Sequence, residues 1–167
     1  MDAVPLKSEK GVDYTRLRDL LKSGQWKEAD LETGKLMERV LGTSSWYKIY
    51  KEKLLLKFPC ADLKTIDQLW VRASQGRYGF SVQKEIYVKC GAKPDGNYPG
   101  DTIWYKFCNE VGWRVKNSWV SYGDLDWGGT GVPGHLPGRF GVFVMVSSGG
   151  VRVGGCVVAC LLSHRDL

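Results

Sequence analysis

Two histidines, His135 and His164, and five cysteines, Cys60, Cys90, Cys108, Cys156 and Cys160, are the residues of this 167-residue chain best suited to act as bases, nucleophiles or metal ligands. Their spacing argues against most of those uses. His135 stands in a glycine-proline run and His164 close to the carboxyl terminus. No nucleophile elbow, phosphate-binding glycine loop or metal-binding His/Glu spacing occurs in the sequence. An active centre would need distant groups such as Asp62, Glu85 and His135, and no motif draws them together. The expectation is a protein without catalytic residues or a metal site of its own. The cysteines are odd in number and lack the close pairing of a zinc site, which predicts free, mostly buried thiols in a reducing compartment. Cys156 and Cys160, four apart in an apolar run, form the one spacing that suits a redox pair.

The aromatic content is more informative, with seven tryptophans, eight tyrosines and a net charge of +6. Trp104, Phe107, Trp113, Trp119, Tyr122 and Trp127 crowd together, with Arg114 and Lys116 among them. Trp26, Trp70, Trp104 and Phe107 recur at helical spacing and read as core. Trp119, Tyr122, Leu125 and Trp127 instead lie in or beside a glycine-rich loop, which buries few apolar groups by itself, and exposed apolar patches mark binding. Two ligand classes suit aromatic rings beside positive charge. The first is a flat, largely hydrocarbon molecule with acidic edges, which needs an apolar floor and cations at the rim. Arg72, Arg77, Arg114 and Lys116 are the candidate cations, arginine being favoured because its planar fork pairs with a carboxylate. The second is single-stranded nucleic acid, which also stacks on aromatics, though the chain lacks an RRM-type signature or a long arginine-rich tract. An anionic membrane surface also suits the charge, but no apolar run reaches the length of a membrane span.

The elements that must position these residues read as mainly helical, in one domain of ordinary globular composition. Residues 1–12 are expected to fray. Leucines at 17, 20 and 21 predict a helix over 13–22 with Asp13 as its cap, and a second helix follows over 25–41, closed by Gly42. Residues 43–59 read as part helix and part loop. A helix over 63–74 is expected with Asp62 as cap, another over 81–89 with Ser81 as cap, and a third over 101–110. Gly76 and Gly79 bracket a turn. The tract 123–138 is loop, and the valine-rich tail 140–158, interrupted by SSGG, reads locally as a short hairpin.

Four segments together identify a family: YTRLRDLLKSGQWKEADLET (14–33), FPCADLKTIDQLWVRASQGRYGFSVQ (58–83), VGWRVKNSW (111–119) and GHLP (134–137). In content, order and spacing they resemble the genomes-uncoupled-four family. The resemblance implies a mainly α, single compact domain with a cupped cleft and long loops. It implies binding of protoporphyrin IX and magnesium protoporphyrin IX, and stimulation of magnesium chelatase through its large porphyrin-binding subunit, without chemistry of its own. It also implies a monomer in the chloroplast stroma, partly at membranes, or in a cyanobacterial cytoplasm. The porphyrin contacts that match the family's pattern are Trp104, Phe107, Trp113, Arg114, Trp119 and Tyr122; Lys116 and, on the loop where the pattern is departed from, Leu125, Trp127 and Val132 are added as candidates beside them. Phe58, Arg72, Arg77 and Phe80 are the expected contacts from the 58–83 block, and residues 43–63 the second edge of the cleft. Asp124 and Asp126 are expected to face solvent or magnesium-bound water, and magnesium, arriving inside the macrocycle, to take an axial water rather than His135.

Overall fold

The computed structural model describes residues 3–143 and 151–167. Among them the elements run α1 (Thr15–Lys22), α2 (Trp26–Leu41), α3 (Trp46–Lys51), a 3-10 turn (Leu54–Lys57), α4 (Cys60–Ala73), α5 (Phe80–Lys89), α6 (Asp101–Glu110), β1 (Arg114–Val115), β2 (Ser118–Trp119), a 3-10 turn (Tyr122–Asp124), a π-helical turn (Arg139–Phe143) and α7 (Val151–Leu162). The fold is mainly α. α1 turns Leu17 and Leu21 inward against α2 and α4; Tyr14 occupies its N-cap position, and Asp13, one residue earlier, accepts the Thr15 N–H at 2.9 Å. α2 and α4 are joined by one polar contact inside the core: Trp70 donates its indole N–H to the Thr33 hydroxyl at 2.9 Å, and that hydroxyl donates to the Ala29 carbonyl at 2.8 Å. Each buried polar atom there has a partner, so the indole is buried without a desolvation penalty left open.

Four expectations need correcting. Residues 3–12, expected to fray, lie along α4. Ser8 and the Glu9 amide both donate to the Asp62 carboxylate, the buried Tyr14 hydroxyl donates to it at 2.7 Å, and Thr65 donates to the Lys7 carbonyl at 2.7 Å. Asp62 therefore anchors the preceding segment and does not cap α4, which begins two residues earlier, after Pro59. Ser81 likewise caps nothing; its amide donates at 2.8 Å to Asp67 of α4, and α5 begins at Phe80. In both cases the residue expected to cap its own helix instead pairs with a group distant in sequence, information that local spacing does not contain.

The expected hairpin in the tail is replaced by helix from Val151 to Leu162. Val157 to Leu162 are buried on every side, and α7 packs on α3, on the first 3-10 turn, on α5 and on the π-helical turn. β-Branched residues favour strands only weakly, and burial all round outweighs that preference. Residues 147–150, where the turn of that hairpin is expected, lie outside the described residues. A real hairpin occurs elsewhere: Arg114 pairs with Trp119 and Val115 with Ser118, across a turn in which Lys116 and Asn117 hold left-handed φ values of 48° and 66°. Asparagine suits the second of those positions.

Candidate functional site

The segment from Trp113 to Gly138 carries most of the expected ligand residues, and the structure divides them into two layers. Below the surface, Trp104, Phe107, Trp113 and Leu125 are buried, as are Phe58 and Phe80. Phe107 packs edge-on to Trp113 at 5.6 Å between centroids and to Tyr87 at 5.4 Å, and is tilted against Trp104 at 5.4 Å. These rings brace the loop from beneath; none presents a face to solvent. Above them stands a partly open layer. The Arg114 guanidinium lies 4.8 Å from the Tyr105 ring centre and 5.9 Å from that of Trp119, with the two rings edge-on to each other at 5.8 Å. Trp119 is 36% exposed and Val115 52% exposed on the same hairpin. Lys116, at the hairpin turn, is exposed.

A second aromatic group forms where the loop crosses α2. Tyr122 and Trp127 meet edge-on at 5.3 Å, Lys27 lies 6.0 Å above Trp127, and Trp26 packs edge-on to Tyr78 at 5.5 Å. The loop tip is tied to itself. Asp126 accepts from the Gly128 amide and the Thr130 hydroxyl, each at 2.8 Å, and the exposed Asp124 accepts from Ser121 at 2.6 Å. Val132, 45% exposed, rests near Gly112 at the end of α6. Arg77 donates to the Gly131 carbonyl at 3.5 Å, and its own carbonyl accepts the Gly134 amide at 2.8 Å. Arg72 is apart from this face; it lines a groove on α4 with Val4, Pro5 and Gln75. At the expected second edge, Tyr47 of α3 is 71% exposed, and Trp46 packs edge-on to Phe140 at 4.9 Å, where the two edges meet.

His135 is committed inside the fold. Its Nδ1–H donates to the Val111 carbonyl at 2.8 Å, its Nε2 accepts the Asp126 amide at 2.9 Å, and its carbonyl accepts the Trp113 indole N–H at 2.8 Å. That pattern needs neutral imidazole, and burial moves its pKa downward. No ring nitrogen is left to reach a metal.

Sequence reasoning missed Asp30 and Arg139. Asp30 sits on the inward arc of α2, four residues after Trp26 and three before Thr33. A charge at that position signals a buried tether. Its carboxylate accepts from the Tyr122 hydroxyl at 2.5 Å, the Gly138 amide at 2.8 Å and the Arg139 amide at 3.4 Å, joining both ends of the loop to α2. The Arg139 side chain lies so close over Gly34, one turn further along α2, that a Cβ there would overlap it. Burial, opposed by those donors, pushes the Asp30 pKa up to about 6. A carboxyl raised in the folded state stabilises fully below its unfolded value of 3.8, and the contribution is lost as pH rises through about 6. The shift corresponds to about 3 kcal/mol. Urea denaturation from pH 4 to pH 7.5 should show the wild type losing roughly that much relative to Asp30→Asn, whose stability lacks this titration. Parallel curves would refute the assignment.

The helical body braces a long loop with buried aromatics, tethers both loop ends, and leaves stacked aromatic and guanidinium groups at the surface. Residues 7–147 match the GUN4-like family model, and the chain belongs to that family. An uncharacterised ycf53 protein of Porphyra purpurea is 33% identical over 139 residues, covering 80% of this chain and 53% of its own length. A chloroplastic tetrapyrrole-binding protein of Arabidopsis thaliana is 31% identical over 84 residues, covering 48% of this chain and 31% of its own. The chain thus spans about half the length, or less, of these curated relatives. The solved structure of GUN4 from Chlamydomonas reinhardtii superposes with a TM-score of 0.67 at 27% identity, covering 94% of this chain and 95% of that one.

Proposed function

We propose that this chain binds protoporphyrin IX and magnesium protoporphyrin IX and stimulates magnesium chelatase as a porphyrin-handling regulator, with no catalysis of its own. The observation that carries this reading is the Arg114 guanidinium lying against the rings of Tyr105 and Trp119 at an exposed hairpin. It offers, side by side, an apolar face for the macrocycle and a planar donor fork for a propionate. The binding named for the Arabidopsis relative supports the ligand class. Magnesium would enter as cargo inside the ring, and His135, occupied on both nitrogens, would not serve as its ligand. The partner in this reading is the large porphyrin-binding subunit of the chelatase. The compartment is the plastid stroma, partly at membranes, or a cyanobacterial cytoplasm.

The test is a fluorescence titration with a water-soluble deuteroporphyrin, free and magnesium-loaded, against a single-stranded oligonucleotide. Saturable one-to-one quenching of tryptophan by the porphyrins, none by the oligonucleotide, and faster magnesium insertion on adding the chain to chelatase subunits are expected. Quenching by the oligonucleotide alone would overturn the ligand class; tight porphyrin binding without stimulation would overturn the regulatory role.

A further inference from the structure

Away from the loop, α4 and the turn after α7 bring together three residues that the binding reading does not use. Cys60 opens α4, while His164 and Asp166 lie more than a hundred positions later. One ligand atom from each lies within 4.8 Å of the others. The Cys60 thiol donates to Asp166 Oδ2 at 2.7 Å, and His164 Nδ1 lies 4.0 Å from the same oxygen. His164 is nearly buried, and its Nε2–H donates to the Phe58 carbonyl at 2.8 Å. That bond settles the tautomer. Nδ1 faces the cluster and accepts the Asp166 amide at 3.2 Å, a longer bond than the 2.9 Å one at His135 Nε2 and one that an ion would have to displace. A backbone carbonyl fixing the far nitrogen of an imidazole is the support that metal-bound histidines characteristically have.

We propose that Cys60, His164 and Asp166 form a binding site for a divalent ion of the zinc class, with water as the fourth ligand. Thiolate, imidazole and carboxylate are the donor set such an ion selects, and ligands at roughly 2.0–2.3 Å from a tetrahedral ion stand about 3.3–3.8 Å apart. From the present 2.7 Å between sulfur and oxygen and 4.0 Å between Nδ1 and oxygen, binding needs the first pair to open and the ring to close, each by roughly 1 Å, with the Asp166 amide released from Nδ1 to solvent. As the sulfur–metal bond forms, the thiol proton leaves to solvent and Asp166 exchanges its S–H donor for the ion. Lys64, 2.8 Å from the other Asp166 oxygen, and Arg165, 3.2 Å from Oδ2, compete for the carboxylate. Both side chains are largely exposed, at 51% and 86%, and can turn away without loss of packing. The anchoring of the turn is independent of them: Lys84 of α5 donates to the His164 carbonyl at 2.7 Å. A bound ion would clip the start of α4 to the end of α7.

The experiment uses the reduced, chelator-stripped chain and Co²⁺ as a spectroscopic probe. One equivalent of Co²⁺ at micromolar concentration should give a near-ultraviolet sulfur-to-cobalt band with visible bands of a four-coordinate ion, all displaced by Zn²⁺. Cys60→Ser should abolish the near-ultraviolet band, Asp166→Asn should weaken binding at least tenfold, and Cys156→Ser should change neither. Zn²⁺ should raise the thermal midpoint of the wild type but not of Cys60→Ser, with circular dichroism confirming that each variant is folded. Absence of the sulfur band at micromolar Co²⁺, or its survival in Cys60→Ser, would overturn the site.

Discussion

Trp113→Ala is expected to destabilise the fold by about 3–5 kcal/mol, the range for removing a large aromatic from a packed core. The ring is 1% exposed, is braced by Phe107, and lies so close to Gly141 that a Cβ there would overlap it. Its indole N–H is the donor to the His135 carbonyl. Removing the ring therefore opens a cavity and also leaves a buried acceptor unpaired. For a chain of this size the thermal midpoint should fall by roughly 10 °C. Trp113→Phe keeps the six-membered ring and removes the donor with its smaller ring, so a smaller loss than for alanine, about 2–3 kcal/mol, is expected. Urea denaturation checks both values. A loss below about 1 kcal/mol for Trp113→Ala would show that the loop is not braced from this ring.

The consequence for binding is indirect. Trp113 connects α6 to the hairpin: its carbonyl accepts the Val120 amide at 3.0 Å, just beyond the β1–β2 pairs. When the ring is lost, the hairpin loses its footing, and the Arg114–Trp119 pair loses its fixed separation. Porphyrin affinity should fall in Trp113→Ala even under conditions where the variant remains folded.

How far the sequence reaches depends on whether a residue's role is local. The helix over 101–110 is legible in full because Ile103, Trp104 and Phe107 repeat at helical spacing between Gly100 and Gly112, and all of that lies within a dozen residues. Their closeness in sequence also names Trp113, Arg114 and Trp119 as a group, although local spacing does not predict the hairpin that carries Arg114 and Trp119. It does not separate floor from face, because burial depends on what packs from α5 and from the loop 134–138. Gln83 shows this: its amide donates at 2.9 Å to both the Gly134 and Pro137 carbonyls, a bond across the fold that no motif announces. Asp62 and Ser81 fail for the same reason, being caps by sequence spacing and long-range partners in space. The tail fails differently. Its valines carry the right local preference for strand, and only the surrounding helices, absent from a local window, make a buried helix the better solution.

Arg114→Ala is expected to lower affinity for a dicarboxylate porphyrin by at least tenfold, or about 1.4 kcal/mol, while leaving stability within about 1 kcal/mol. The side chain is half-buried and its recorded partners are the faces of Tyr105 and Trp119 and a 3.4 Å contact to Asn109, so little of the fold depends on it. What depends on it is a rigid fork. Contact with two rings reduces the rotamer freedom that an exposed arginine otherwise gives up on binding a carboxylate. Arg114→Lys should recover only part of the loss, because an ammonium keeps the charge but neither the fork nor the stack. Trp119→Ala attacks the other half of the interaction, the apolar face, and also unstacks the guanidinium. The two contributions can be told apart with a porphyrin whose propionates have been converted to neutral amides. Arg114→Ala should leave affinity for that ligand nearly unchanged, whereas Trp119→Ala should lower affinity for both ligands. If Arg114→Ala weakens the diamide as much as the diacid, the arginine serves the ring and not the carboxylate, and the division of the surface into an apolar face and a cationic rim is wrong. If neither variant alters either ligand, the porphyrin lies elsewhere, and the seam where Trp46 packs on Phe140 becomes the surface to test.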